Sequence, residues 1–198
     1  MLILTSIFIL NQNRFNSSTL LRSLAYSVAL SVRQAQVYGV STRESTAGAF
    51  DTANESAAAK SYGVYFSSGA TGSYILFADR NNDGQYQCVA TTDPNCENVQ
   101  IFSFSKGYSL SKFCATTSTN TQRCWTPTSP TITTMTILFK RPNPDSCFAT
   151  SIAANACQTG ASPSEVYKSA YVQVKNGNDT RSVNVTLTGQ ITVGAQGS

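Results

Sequence analysis

The stretch from Asn16 to Val40, NSSTLLRSLAYSVALSVRQAQVYGV, constrains the fold more than any other part of the chain. Its apolar residues recur at steps of three and four, which places them along one stripe of an α-helix. A serine or threonine at 17–19 can cap the start of this helix, and Gly39 is a natural stop. The sequence therefore predicts one long amphipathic helix, packed through Leu20, Leu21, Leu24, Val28 and Val32.

A second apolar run, LILTSIFIL at residues 2–10, precedes this helix and is separated from it by a few polar residues. Crossing a bilayer takes about twenty apolar residues, so this run cannot do so alone. It is also a poor secretory signal, because no Lys or Arg precedes it and no small-residue cleavage site follows it. We expect the native helix to begin further upstream.

The cysteines indicate an oxidising compartment. There are six, and neighbouring ones are separated by short polar loops, so we expect sequential disulfides: Cys88 with Cys96, Cys114 with Cys124 and Cys147 with Cys157. A zinc site has little support, since no C-x₂₋₄-C spacing and no histidine occur. Reduced, buried thiols remain the alternative if the protein is cytosolic. Only 12% of residues are charged, which also favours an extracytoplasmic protein.

After the helix, the pattern changes to short alternating segments typical of β-strands. Tyr62, Val64 and Phe66 alternate with smaller or polar residues, and a Gly-rich turn leads to YILFAD, which predicts a β-hairpin. Residues 44–60 are predicted to be a connector. The Thr-rich segment 116–134 is predicted to be a long exposed excursion. Further strands are predicted at 101–105, 108–113, 135–141, 171–175, 181–187 and 190–193.

These elements predict an α+β, pilin-like fold. A long N-terminal helix, residues 1–45, would pack on an antiparallel β-sheet head, residues 46–198, of about seven strands linked by hairpin-length loops. The disulfides would brace the loops of this head.

The residue inventory argues against an enzyme. Without histidine, Ser-His-Asp and Cys-His catalysis are excluded. Paired cysteines offer no thiolate, and the carboxylates are few and dispersed. The net charge of +4 is spread along the chain and supports at most weak, salt-sensitive attraction to anions.

The sharpest local motif is DRNNDGQY at residues 79–86. The candidate metal ligands occupy alternate positions: Asp79, Asn81, Asp83 and Gln85. With Gly84 to permit the sharp turn, this spacing reproduces the first half of a calcium loop. The second half of such a loop is missing. The alternative is a polar turn, in which Asp and Asn side chains bond the backbone two residues on. No other cofactor is indicated.

The order of the motifs resembles that of type IV pilin-like proteins, and within them the H-type, FimT-like minor pseudopilins. The resemblance covers about residues 20–193 and is carried, in order, by RSLAYSVALSVRQAQVYGV, YGVYF, YILFADRNNDGQY and RSVNVTLTGQITV. It implies a helix that is inserted in the inner membrane before assembly and packed in a filament core afterwards. The family's Gly-Phe-Thr-Leu-Ile-Glu-like processing site is absent here.

The expected function is that of a structural minor pilin or pseudopilin, in a type IV pilus or a type II secretion pseudopilus. Its partners would be other such subunits, with the head periplasmic or extracellular, at the filament surface or tip. The alternative is a surface adhesin that uses the Thr-rich loop around Trp125, or a DNA-uptake receptor. DNA is the weaker expectation, because residues 188–192 carry none of the arginines that FimT-like pilins that take up DNA have near this hairpin, and Arg181 alone remains.

Overall fold

The computed structural model describes residues 2–41, 61–88, 96–105, 107–140, 142–158 and 160–194, with helix side chains described from Ser17 onward. One continuous helix, α1, spans Leu2–Val40 and so includes both apolar stretches. The predicted connector at 44–60 and the predicted boundary between residues 45 and 46 lie outside the described residues.

The remainder of the described chain is mostly β. It forms two five-stranded antiparallel sheets, the first in the order β3-β2-β1-β6-β7 and the second in the order β10-β9-β8-β4-β5. The strands are β1 Ser61–Ser67, β2 Ser73–Asp79, β3 Asn98–Ser103, β4 Tyr108–Thr117, β5 Gln122–Trp125, β6 Thr134–Lys140, β7 Ser146–Thr150, β8 Tyr167–Asn176, β9 Asp179–Thr186 and β10 Ile191–Gly194.

The predicted fold class, an α+β pilin-like helix on an antiparallel sheet head, is therefore wrong. The protein is a mostly β structure of two sheets with one N-terminal helix. The physical reason is that strands of the first sheet are covered by apolar residues on both faces, not on one. The strands β2 and β6 are apolar almost without interruption, which requires cover on both faces rather than the one face that a helix supplies.

That double cover is present around the first sheet. One face packs in the main core, to which α1 and both sheets contribute. The other face carries a smaller apolar cluster of Phe77, Leu138, Ala149 and Cys157, against which Tyr86 packs from the turn after β2. In the second sheet, β8 alternates instead, because buried residues occupy every second position from Ala170 to Val174.

The Thr-rich segment 116–134, predicted to be a long exposed excursion, contains a strand. Its central part forms β5, which pairs with β4 through the register Cys114 to Cys124. Thr131 then holds the following loop, because its hydroxyl accepts from Cys124 N at 2.7 Å and donates to Cys124 O at 2.9 Å. Trp125 faces inward and stacks on Phe113, with ring centroids 5.1 Å apart.

The helix packs against β1 and β6 of the first sheet and β8, β9 and β10 of the second. Gln36, which is buried, joins the two sheets to α1: its Nε2 donates to Pro144 O at 2.9 Å and to Gly189 O at 3.1 Å. Near the helix end, Gly39 is buried against β6, where an added Cβ would lie 2.4 Å from Phe139 O. The absence of a side chain at Gly39 thus permits the close approach of helix and sheet.

G39A is expected to destabilise the protein even though Ala favours helices over Gly by about 1 kcal/mol. The new methyl group would meet backbone that can move only with β6, so overpacking should lower the free energy of unfolding by about 1–3 kcal/mol. Urea unfolding measures the change. G72A is the matched control, because nothing lies within 4 Å of its added Cβ. Equal stability of the two variants would show that helix and sheet are not in close contact at Gly39.

Candidate functional site

The turn after β2 is organised by Asp79, which is fully buried. Asp79 Oδ2 accepts from Ser61 Oγ at 2.7 Å and from Gly84 N at 3.1 Å. Burial raises the pKa of Asp79, and the bonds from Ser61 and Gly84 oppose that rise. Gly84 has φ +78 and packs directly on Cys157, which lies 2.7 Å from where a Cβ would be, so the motif requires glycine there.

The other predicted calcium ligands lie in the same turn. Asn81 Oδ1 accepts from Asp83 N at 3.1 Å, and Asp83 Oδ1 accepts from Gln85 N at 2.9 Å. Asp83 Oδ2 accepts from the side chains of Asn81 and Gln87. The two bonds in which Asn81 and Asp83 accept from the backbone N–H two residues further along the chain are those expected for the polar-turn alternative. Within the described ranges, no group of three or more acidic, cysteine or histidine side chains could hold a metal ion.

Glu97 is a further member of this turn that sequence patterns did not reveal. Its Oε1 accepts from Arg80 N at 3.0 Å and its Oε2 accepts from Gln87 N at 2.8 Å. One carboxylate therefore binds both ends of the turn between residues 80 and 87. Glu97 is only 3% exposed, and burial, opposed by these two bonds, raises its pKa to about 7. The nearby Asp79 and Asp83 charges raise it further. The only sequence signal is a carboxylate directly after Cys96.

The pKa of Glu97 predicts a pH dependence of stability. Between its unfolded pKa of 4.5 and its folded value of about 7, the folded protein holds a proton that the unfolded chain has released. The free energy of unfolding should therefore fall as pH rises through this window, by up to about 3 kcal/mol. Urea unfolding at pH 5 and pH 8 measures the difference.

E97Q should flatten that slope. E165Q is the matched control. The Arg123 guanidinium, which pairs with Glu165, lowers the pKa of that carboxyl. Any pH dependence of stability that Glu165 causes therefore lies below the titration range of Glu97, and the slope should persist in E165Q. An unchanged slope in E97Q would assign the pH dependence to other groups.

Calcium binding at Asp79, Asn81, Asp83 and Gln85 stays a prediction. Asp79 Oδ1 and, in the same turn, Asn82 Oδ1 are buried without a hydrogen-bond partner among the described residues. Calorimetric titration of metal-free protein with calcium at pH 8, where Glu97 is ionised, is the check, with D83N as the comparison variant. Heat above dilution that D83N removes would establish the site. No heat at millimolar calcium would leave only a polar turn.

The three disulfides pair as predicted. They join Cys88 to Cys96, Cys114 to Cys124 and Cys147 to Cys157, with sequence separations of 8, 10 and 10 residues. Each closes a short loop, which in the chain-entropy view stabilises the fold by roughly 2.5 kcal/mol. No free cysteine is present in the described chain.

The predicted helix contacts divide between the two sides of α1. Leu21, Val28 and Val32 are buried in the main core, and Leu24 is half-buried against it. Leu20 points away from the core and is 58% exposed.

The side of α1 that faces away from the head carries further apolar residues that the sequence analysis did not single out. Tyr26, Leu30 and Val37 are 53%, 68% and 52% exposed. They alternate with two exposed arginines at steps of three and four, so five residues lie in one row along the helix. We call this row the outer strip: Arg22, Tyr26, Leu30, Arg33 and Val37.

Trp125, the residue on which the adhesin alternative depends, is only 7% exposed. Its ring is used in packing on Phe113, so it offers little surface to a ligand.

Comparison of the chain with known protein families, curated proteins and solved structures finds no match. The resemblance to minor pseudopilins is therefore one of sequence motifs alone. Among the described residues, no helix is both long enough and apolar enough to span a membrane.

Proposed function

We propose that the protein is a structural subunit, of the minor pilin or pseudopilin kind, that assembles with other subunits through α1. The observation that carries the proposal is the two-sided use of this helix. The inner side of α1 is buried against the head, while Tyr26, Leu30 and Val37 remain exposed on the opposite side. Exposed large apolar side chains that are grouped on one side of a helix mark a candidate surface for a partner.

The first part of α1 supports the same function. The apolar run at residues 2–10 belongs to the same continuous helix as the outer strip. In the proposed function this part associates with the inner membrane before assembly and with neighbouring subunits afterwards. The three disulfides support a head that lies outside the cytoplasm, in the periplasm or at the filament surface.

The double variant L30S/V37S tests the proposal, because it removes two exposed apolar side chains and leaves the buried side of α1 intact. The free energy of unfolding should change by no more than about 0.5 kcal/mol. Burying the exposed parts of these two side chains should contribute about 2 kcal/mol, so incorporation into the filament or membrane-complex fraction of the native cells should fall at least tenfold. Immunoblots of sheared and membrane fractions, with cross-linked subunit ladders, measure this.

I152S/V166S is the matched control, since both residues are exposed apolar side chains of the head, at 45% and 56%. It should assemble like the unmodified protein. Normal assembly of L30S/V37S, or equal loss in both variants, would contradict a role for α1 in assembly.

A further inference from the structure

The outer strip carries charge of one sign. Arg22 and Arg33 are both exposed and lie eleven residues apart, which is about three helical turns or roughly 16 Å. They are interleaved with Tyr26, Leu30 and Val37, so a partner that covers the apolar residues also covers the two guanidinium groups.

Within the described part of the molecule, no carboxylate forms an ion pair with Arg22 or Arg33. Residues 1–43 contain no Asp or Glu. Arg123 forms an ion pair with Glu165 in the second sheet region, whereas Arg33 donates to the side-chain oxygen of Gln36, on its own helix. The cationic groups of the strip are thus available to a partner.

The like charge selects against a second copy of this chain. In a parallel, in-register pair of outer strips, Arg22 would lie beside its own counterpart. In an antiparallel pair centred between Tyr26 and Leu30, Arg22 would lie beside Arg33 of the other copy. Either arrangement moves guanidinium groups from water towards groups of the same charge, and desolvating unpaired charges is costly.

We propose that the outer strip docks a helix of a different subunit, one that presents two carboxylates about 16 Å apart beside an apolar row. This inference rests on the proposed function, because it names the chemistry of the partner that α1 meets. The apolar contacts supply the association, and the two charge pairs select the acidic partner over copies of this chain.

Two synthetic helical peptides test the charge requirement. They share one apolar row and differ only at two positions eleven residues apart, which carry Glu in one peptide and Lys in the other. Binding to the full chain in neutral-lipid nanodiscs is measured by fluorescence anisotropy. The Glu peptide should bind about tenfold more tightly at low salt, as expected for two surface charge pairs, and the ratio should shrink as salt rises.

R22E/R33E should reverse the preference, so that the Lys peptide binds more tightly. K168E/K175E, which makes the same charge change on β8, should leave it unaltered. Sedimentation should also show that the unmodified chain and R22E/R33E each stay monomeric but associate when mixed. Equal binding of both peptides, or self-association of the unmodified chain alone, would overturn the inference.

These outcomes are separable from those of the proposed function. If L30S/V37S loses assembly while R22E/R33E binds both peptides as the unmodified chain does, α1 still assembles the subunit but its partner is not selected by charge. If L30S/V37S assembles normally, the proposed function itself fails.

Discussion

Both sheets bury their inner faces against the same side of α1, and the rest of the architecture depends on this shared contact. The helix can approach both sheets because its inner side combines large and very small residues. Ala25, Ala35 and Gly39 leave room for the sheets, while Val28 and Val32 fill the core. Without α1, the apolar faces of β1, β6 and β9 would lose the helix that they share.

Docking on two sheets also fixes the rotation of the helix about its axis. Gln36 sets this rotation at one end, since its amide bonds the loop before β7 and the turn before β10 at once. Ser31 sets it five residues earlier, where its hydroxyl forms a hydrogen bond with Tyr74 Oη at 2.9 Å. Once these buried polar contacts are made, the outer strip can face only away from the head. The side of α1 that remains exposed is therefore a consequence of head packing, and polar contacts inside the core determine it.

The sequence predicted local elements better than their arrangement. The helix, the hairpin of β1 and β2 and the disulfide pairing follow from periodicity, turn residues and loop length, which are local properties. The number of sheets does not, because alternation reports that a strand is half-buried without saying which strand lies beside it. Strands β2 and β6 gave the only hint, since runs such as ILFA and TILF need apolar cover on both faces. Glu97 was missed because its partners, Arg80 N and Gln87 N, come together only in the folded turn.

The disulfides and the main core have separate roles in this arrangement. None of the six cysteines belongs to the cluster that contains α1. Cys114 and Cys124 join neighbouring strands of the second sheet, and Cys147 and Cys157 fasten the cover of the outer face of the first sheet. Apolar burial therefore holds the helix to the head, whereas the covalent links limit the freedom of loops and edges around it. The orientation of α1 therefore depends on noncovalent contacts alone, and no disulfide crosses its exposed side.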